Sequence, residues 1–206
     1  MTTSALPQTS PYDGLVSRYL NRHISRPIAR LLARTPVTPN QVTVFSLAVT
    51  TGALVAFAAG YPILGGLLAQ AGSVVDGVDG DLARLADRGT RFGSFFDAVV
   101  DRYADALVLL GLTIWAASSS ETMLPWIAGF AALAGSFAVT YTRARVDESQ
   151  RTMFDSGITS LASRDVRLLI VMIGALTGYG VATLMVLAVL TNAVVLLRVA
   201  SARRAL

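Results

Sequence analysis

Long apolar runs alternate along this chain with short polar breaks, and the charged residues collect at every second break. Residues 41–59 carry no charge and predict a first membrane-crossing helix, since about 20 apolar residues in a helix span the hydrocarbon core of a bilayer. Gly60-Tyr61-Pro62 predicts a turn. A second helix is predicted over 63–87, apolar in its first half and acidic in its second. Residues 88–91 connect it to a third, over 92–117, with carboxylates near its start. A loop at 118–122 precedes a fourth span at 123–141. Residues 143–167 form the longest polar stretch. The apolar run that follows, 168–177, is short for a span, and Gly178-Tyr179-Gly180 breaks it as a tight turn before 181–197. These last two runs read as closely paired helices, the first extended backward into the polar stretch, with a re-entrant arrangement as the alternative. The pattern as a whole predicts an all-α integral membrane protein, with six transmembrane helices bundled over 41–201.

The front of the chain differs. Residues 1–12 are polar and read as a disordered tail, with no apolar core of signal-peptide type and hence no expected cleavage. Over 14–34, Arg18, Arg22, Arg26, Arg30 and Arg34 recur every four residues, while Leu15, Tyr19, Ile24, Ile28 and Leu31 fall largely on other faces. A basic, amphipathic, weakly hydrophobic helix of this kind lies in the membrane interface. Pro36 and Pro39 stop it, and Thr38 or Asn40 is placed to cap the next helix. Residues 1–206 then read as a single membrane domain.

Composition supports the pattern: 53% of residues are hydrophobic, 15% are charged, and mean hydropathy is +0.58. The absence of cysteine excludes disulfides and thiolate metal sites. All 17 basic residues are arginine, and net charge is +4. They flank apolar runs, which points to anionic lipid head groups or substrate phosphates rather than nucleic acid. With six spans, every arginine falls on one side of the membrane, so the positive-inside rule predicts both termini and the acidic residues on the cytoplasmic face.

Those acidic residues are the chemistry. Asp76, Asp79, Gly80, Ala83 and Arg84 share one helical face, and Gly93, Asp97 and Asp101 share another. The short connection makes the two helices antiparallel neighbours, so the faces converge. Carboxylates this close need cations, and oxygen ligands suit Mg²⁺, or Mn²⁺ in its place. Two such ions clamping a phosphate are a recurring arrangement for displacement at phosphorus. Arg84 is placed to serve one phosphate group, and Arg143, Arg145, Arg164 and Arg167 a second, on the acceptor. The competing reading is a divalent-cation transporter with the aspartates as its pore site. The gathering of the acids at one end of the spans favours an enzyme.

The run Asp76-x-x-Asp79-Gly80-x-x-Ala83-Arg84, followed after eight residues by Gly93-x-x-x-Asp97-x-x-x-Asp101, matches the signature of the CDP-alcohol phosphotransferases without a gap. The resemblance covers nearly the whole chain. It implies transfer of a substituted phosphate from a CDP-alcohol to an acceptor hydroxyl, with release of CMP. It further implies that Asp76 and Asp97 bridge two metal ions, that Asp79 completes the first, and that Asp101 touches the second and acts as general base. Gly80, Arg84 and Thr90 would line the CDP site, with Pro39, Asn40 and Gln41 contributing from the first span. Members of the family are typically homodimers. The segments around Ser17–Arg22, Arg34–Asn40 and Ser163–Arg167 look like the membrane domain of di-myo-inositol-phosphate phosphate synthases, which join CDP-inositol to inositol 1-phosphate. The cytidylyltransferase domain fused to those synthases does not appear in these residues, so a separate enzyme is expected to supply CDP-inositol. The alternative donor is CDP-diacylglycerol, as in phosphatidylinositol-phosphate synthases.

Outside the signature, Asp105 is expected to be a hydrogen-bonded core residue, and Asp81 and Asp87 to be solvated. The small residues Ala128, Ala132, Gly135, Gly174 and Ala175 fit either packing within the bundle or a dimer face.

Overall fold

The computed structural model describes residues 21–146 and 157–205. The expected tail, the first part of the 14–34 helix and residues 147–156 lie outside them. The described residues form seven α-helices: α1 (Arg22–Leu32), α2 (Pro39–Ala58), α3 (Pro62–Leu85), α4 (Arg91–Ser118), α5 (Leu124–Ala144), α6 (Arg164–Thr177) and α7 (Gly180–Ala205), with a 3₁₀ turn at Gly157–Ala162 before α6.

Local chemistry sets the boundaries. Pro39 opens α2, and Thr38 caps it: its hydroxyl accepts from the Gln41 N–H at 3.4 Å, and the Gln41 side-chain carbonyl accepts from the Thr38 N–H at 2.9 Å. Thr90 caps α4 by accepting from the Gly93 N–H at 2.9 Å. Gly178 ends α6 in the left-handed region at φ +81°, as a tight turn there requires.

α3 packs against α2 and α6, α2 also against α4, and α5 against α7, while α1 lies along α3. Phe57, Ala69, Leu112, Ala132, Val171 and Leu187, from six different helices, meet in the central core. The small residues are spent within the chain. Ala128, Ala132 and Ala175 are buried, and a Cβ on Gly135 or Gly174 would overlap Thr191 or Thr183.

Polarity is arranged inside out. Thr43, Ser46 and Thr50 are buried on α2, while Val44, Phe45 and Val55 are exposed; Phe130 of α5 is 74% exposed. The buried hydroxyls of Thr50, Thr113 and Thr191 donate to carbonyls one turn back, so no polar group is stranded in the bundle by them. An apolar outside around a partly polar inside is what a lipid solvent selects. Among the described residues, three helices are long and apolar enough to cross a membrane: Pro39–Ala58, Leu124–Ala144 and Gly180–Arg203. α3 and α4 are longer but carry the acidic signature, and α6 has 14 residues. The described residues are thus all-helical, with the character of a membrane protein.

α1 docks through a mostly polar side. Ser25 and Ala29 of α1 are buried, as is Asn21 just before it, and Ile24, Ile28 and Leu31 are exposed. The buried side docks on one stripe of α3. Asn21 donates to Ser73 at 3.2 Å and accepts from Gln70 at 3.0 Å. Arg22 donates to the Gly77 carbonyl at 3.4 Å, and Ser25 to Asp81 at 2.9 Å. Arg22 thus packs inward, its side chain 11% exposed against Asp81.

Candidate functional site

The short connection after α3 brings the acidic faces of α3 and α4 together, as their spacing predicts. One carboxylate oxygen from each of Asp76, Asp97 and Asp101 falls in a group whose members lie within 4.8 Å of one another. Asp79 is buried beside them. It accepts from the Thr43 hydroxyl at 2.5 Å.

The donor set suits a hard divalent cation. All the ligand atoms are carboxylate oxygens, and Asp76 Oδ1 is buried with no hydrogen-bond partner. The spread is one that a cation with oxygen ligands at about 2.0–2.6 Å closes with small side-chain shifts. Asp76, Asp97 and Asp101, with Asp79 adjacent, are the residues that would hold it.

Arg164, at the first position of α6, reaches into this cluster. Its Nη1 lies 2.6 Å from Asp76 Oδ2 and 2.9 Å from Asp101 Oδ1, and its Nε lies 3.2 Å from Asp105 Oδ1. Asp105 is buried, as expected of a core residue, and also accepts from Arg167 Nη2 at 2.6 Å. Arg167 Nη1 donates to the Ser136 and Ala162 carbonyls at 3.4 Å. Arg167 was expected on an acceptor phosphate, but it is 5% exposed and its guanidinium is committed to the bundle. A polar sequence stretch cannot show that its arginine has a buried carboxylate waiting on another helix.

Arg143 and Arg145 close α5. Arg102 of α4 meets Asp101 at 3.5 Å and bonds the Thr140 hydroxyl, which sets that end of α5 beside the cluster. Arg143 is half-buried there, and Arg145 is exposed with its guanidinium 5.0 Å from the Tyr141 ring centre.

On the other flank the starts of α2 and α4 meet. A Cβ on Gly93 would stand 3.0 Å from Asn40 Oδ1 and from Thr90 Oγ1, so only glycine leaves those two side chains their places. Two helix N-termini side by side present free N–H groups and positive dipole ends, an arrangement that favours anions. Gln41 spends its side-chain carbonyl on the α2 cap. Arg84 is exposed, and its terminal nitrogens fold back over Gly80, 3.7 Å from where a Cβ would stand. Its Nη2 donates to Asp81 Oδ1 at 2.8 Å.

Asp81 overturns one expectation: it is 2% exposed rather than solvated, and Arg22, Arg84 and Ser25 all bond to it. Asp87 is exposed, as expected. Neither Asp81 nor Thr43 was singled out by sequence as part of the site. An acidic residue one position after Gly80 and an arginine in the helix before are the only traces of the first, and Thr43 leaves none beyond its place in the opening turns of α2.

Residues 36–202 match the family model described as CDP-alcohol phosphatidyltransferase. The chain is 44% identical over 193 residues to a bifunctional IPC transferase and DIPP synthase of Rubrobacter xylanophilus, covering 93% of this chain and 43% of that protein. It is 36% identical over 172 residues to a phosphatidylinositol phosphate synthase of Mycobacteroides abscessus, covering 82% of this chain and 76% of that protein. The chain thus spans less than half of the bifunctional relative. Crystal structures of the Mycobacterium tuberculosis phosphatidylinositol phosphate synthase share the fold. The form with CDP-DAG bound gives a TM-score of 0.71 at 30% identity, covering 86% of this chain and 92% of that one. The complex with manganese and citrate gives 0.72 at 31%, covering 85% and 87%.

Proposed function

The chain belongs to the CDP-alcohol phosphatidyltransferase family, and from that premise we propose that it transfers a substituted phosphate from a CDP-alcohol to an acceptor hydroxyl and releases CMP. The observation that carries this reading is the convergence of Asp76, Asp97 and Asp101 beside two helix N-termini and an exposed arginine. Divalent cations held by these three and Asp79 would neutralise the diphosphate and polarise the phosphorus under attack.

The chain's own residues supply the rest. Arg84 and the α2 and α4 N-termini, with Pro39, Asn40, Gln41, Gly80 and Thr90, hold the cytidine diphosphate. Asp101 takes the proton from the acceptor hydroxyl. The acceptor oxygen bonds to the phosphorus that carries the alcohol, the bond from that phosphorus to the bridging oxygen breaks, and CMP leaves with that oxygen. Arg164, with Arg143 and Arg145 at the same end of the bundle, binds the acceptor's own phosphate.

The preferred substrates are CDP-inositol and inositol 1-phosphate, giving di-myo-inositol phosphate phosphate. The 44% identity to a DIPP synthase supports that choice. CDP-diacylglycerol is the second donor reading, supported by the CDP-DAG complex of the mycobacterial fold relative. Membranes given labelled inositol 1-phosphate with one donor or the other separate the two. A water-soluble labelled product supports the first reading, and a chloroform-soluble product refutes it. Metal flux in vesicles without CMP release would favour the transporter instead.

The proposal includes a single membrane domain in which α2 to α7 are six spans, both termini and the site face the cytoplasm, α1 lies in the interface with Ile24, Ile28 and Leu31 toward lipid, and two copies pair as a homodimer.

A further inference from the structure

We propose that Asp81 is a positioning residue for the donor site: its buried carboxylate fixes the direction of Arg84 and couples that arginine to helix α1 through Arg22. The proposal rests on the reading of Arg84 as a diphosphate-binding residue.

The geometry is specific. One oxygen, Asp81 Oδ1, accepts from Arg22 Nη1 at 2.6 Å and from Arg84 Nη2 at 2.8 Å, and the other accepts from the Ser25 hydroxyl at 2.9 Å. The carboxylate is 3% exposed, the Arg22 side chain 11%, and the Arg84 side chain 46%. Charge-assisted bonds to a buried carboxylate are short and directional, so the guanidinium edge facing Asp81 is held. The other edge of Arg84 meets no protein acceptor among the described residues, and a guanidinium offers five N–H donors in a rigid fork. Arg84 is thus anchored on one edge and presented on the other, its terminal nitrogens lying over Gly80 at 3.7 Å from where a Cβ would stand.

The same oxygen makes α1 part of the arrangement. α1 carries Pro27 inside it, which removes a backbone hydrogen bond and weakens the helix on its own. It is held by the stripe Gln70, Ser73, Gly77 and Asp81 of α3. If α1 leaves this stripe, Asp81 loses two of its three partners. Arg84 then becomes its sole counter-ion and is drawn away from the ligand. Asp76, Asp79, Asp97 and Asp101 do not share this carboxylate, so the effect is confined to donor binding.

The test uses the purified full chain in detergent with Mg²⁺, following CMP release against CDP-inositol and against CDP-diacylglycerol, with thermal unfolding of each variant. Asp81→Asn should raise the donor KM about tenfold, as expected for loss of a charge-assisted hydrogen bond, with kcat and acceptor KM within about twofold. Asp81→Glu should restore part of the loss, and Arg22→Gln should raise the donor KM about threefold through the same oxygen. An unchanged donor KM in Asp81→Asn overturns the proposal, as does a fall in kcat with both KM values rising together. If Asp81→Asn does not fold, Arg22→Gln decides: a raised donor KM supports the proposal and an unchanged one overturns it. Arg84→Lys separates the underlying reading. If Arg84→Lys leaves donor KM unchanged, the assignment of Arg84 is wrong; if it raises donor KM while Asp81→Asn does not, Asp81 alone is wrong.

Discussion

Arg84 and Arg164 are held in opposite ways around one carboxylate cluster. The Arg84 side chain is 46% exposed and leans on a single carboxylate, Asp81, that lies outside the cluster. That of Arg164 is 17% exposed and touches three, of which Asp76 and Asp101 belong to the cluster itself. The first arginine can take up an anion without giving anything up. The second must exchange partners, because any cation bound by Asp76 and Asp101 competes with it for the same oxygens. Asp105 supplies the fixed end of that exchange: it bonds both Arg164 and Arg167 and belongs to no signature. Each arginine therefore has a buried aspartate outside the motif as its anchor, and they differ in whether the motif also holds them.

The harshest way to break this contrast is to remove a shared carboxylate. Asp76→Asn takes away a proposed metal ligand and an Arg164 partner at once. CMP release should fall by about 10³-fold or more, with Mn²⁺ binding by calorimetry weakened in parallel. Arg164→Gln should sharpen the contrast instead. Acceptor KM should rise about 10- to 100-fold, as for loss of charge-assisted contacts to a phosphate, while Mn²⁺ binds more tightly because its competitor is gone. Weaker Mn²⁺ binding in that variant would show that Arg164 supports the cation rather than opposing it. Arg84→Lys should leave Mn²⁺ affinity unchanged and raise only donor KM, about tenfold. The smallest effect belongs to the scaffold: Thr38→Ala removes the α2 cap and should cost about 1 kcal/mol in unfolding with both KM values intact.

The parts of this arrangement that were legible in sequence are those written in one segment. The Thr38-Pro39 start of α2, the Gly178 stop of α6 and the spacing of Asp76, Asp97 and Asp101 are local chemistry, and each appears where the chain predicts it. Asp81 was misread because it lies off the face that carries Asp76 and Arg84. A single helix cannot reveal that another helix covers its far side. The part Arg22 plays was not legible for the same reason, since a four-residue recurrence of arginine does not show which member meets a buried partner on another helix. Arg167 needed knowledge of α4 and α5, contributed by residues far away in the chain. Six spans were expected, but among the described residues length and composition alone single out three, because α3 and α4 carry the acidic signature inside the stretch that would otherwise identify them.

The most direct measurement is CMP release from a CDP-alcohol with Mg²⁺ and acceptor, by the wild-type chain and by Asp101→Asn. The account predicts metal-dependent release by the wild type, and an Asp101→Asn variant with the same unfolding temperature whose rate is lower by about 10²- to 10⁴-fold, the range for loss of a general base. Full activity in a folded Asp101→Asn variant, or no CMP from either donor with the wild type, would contradict it.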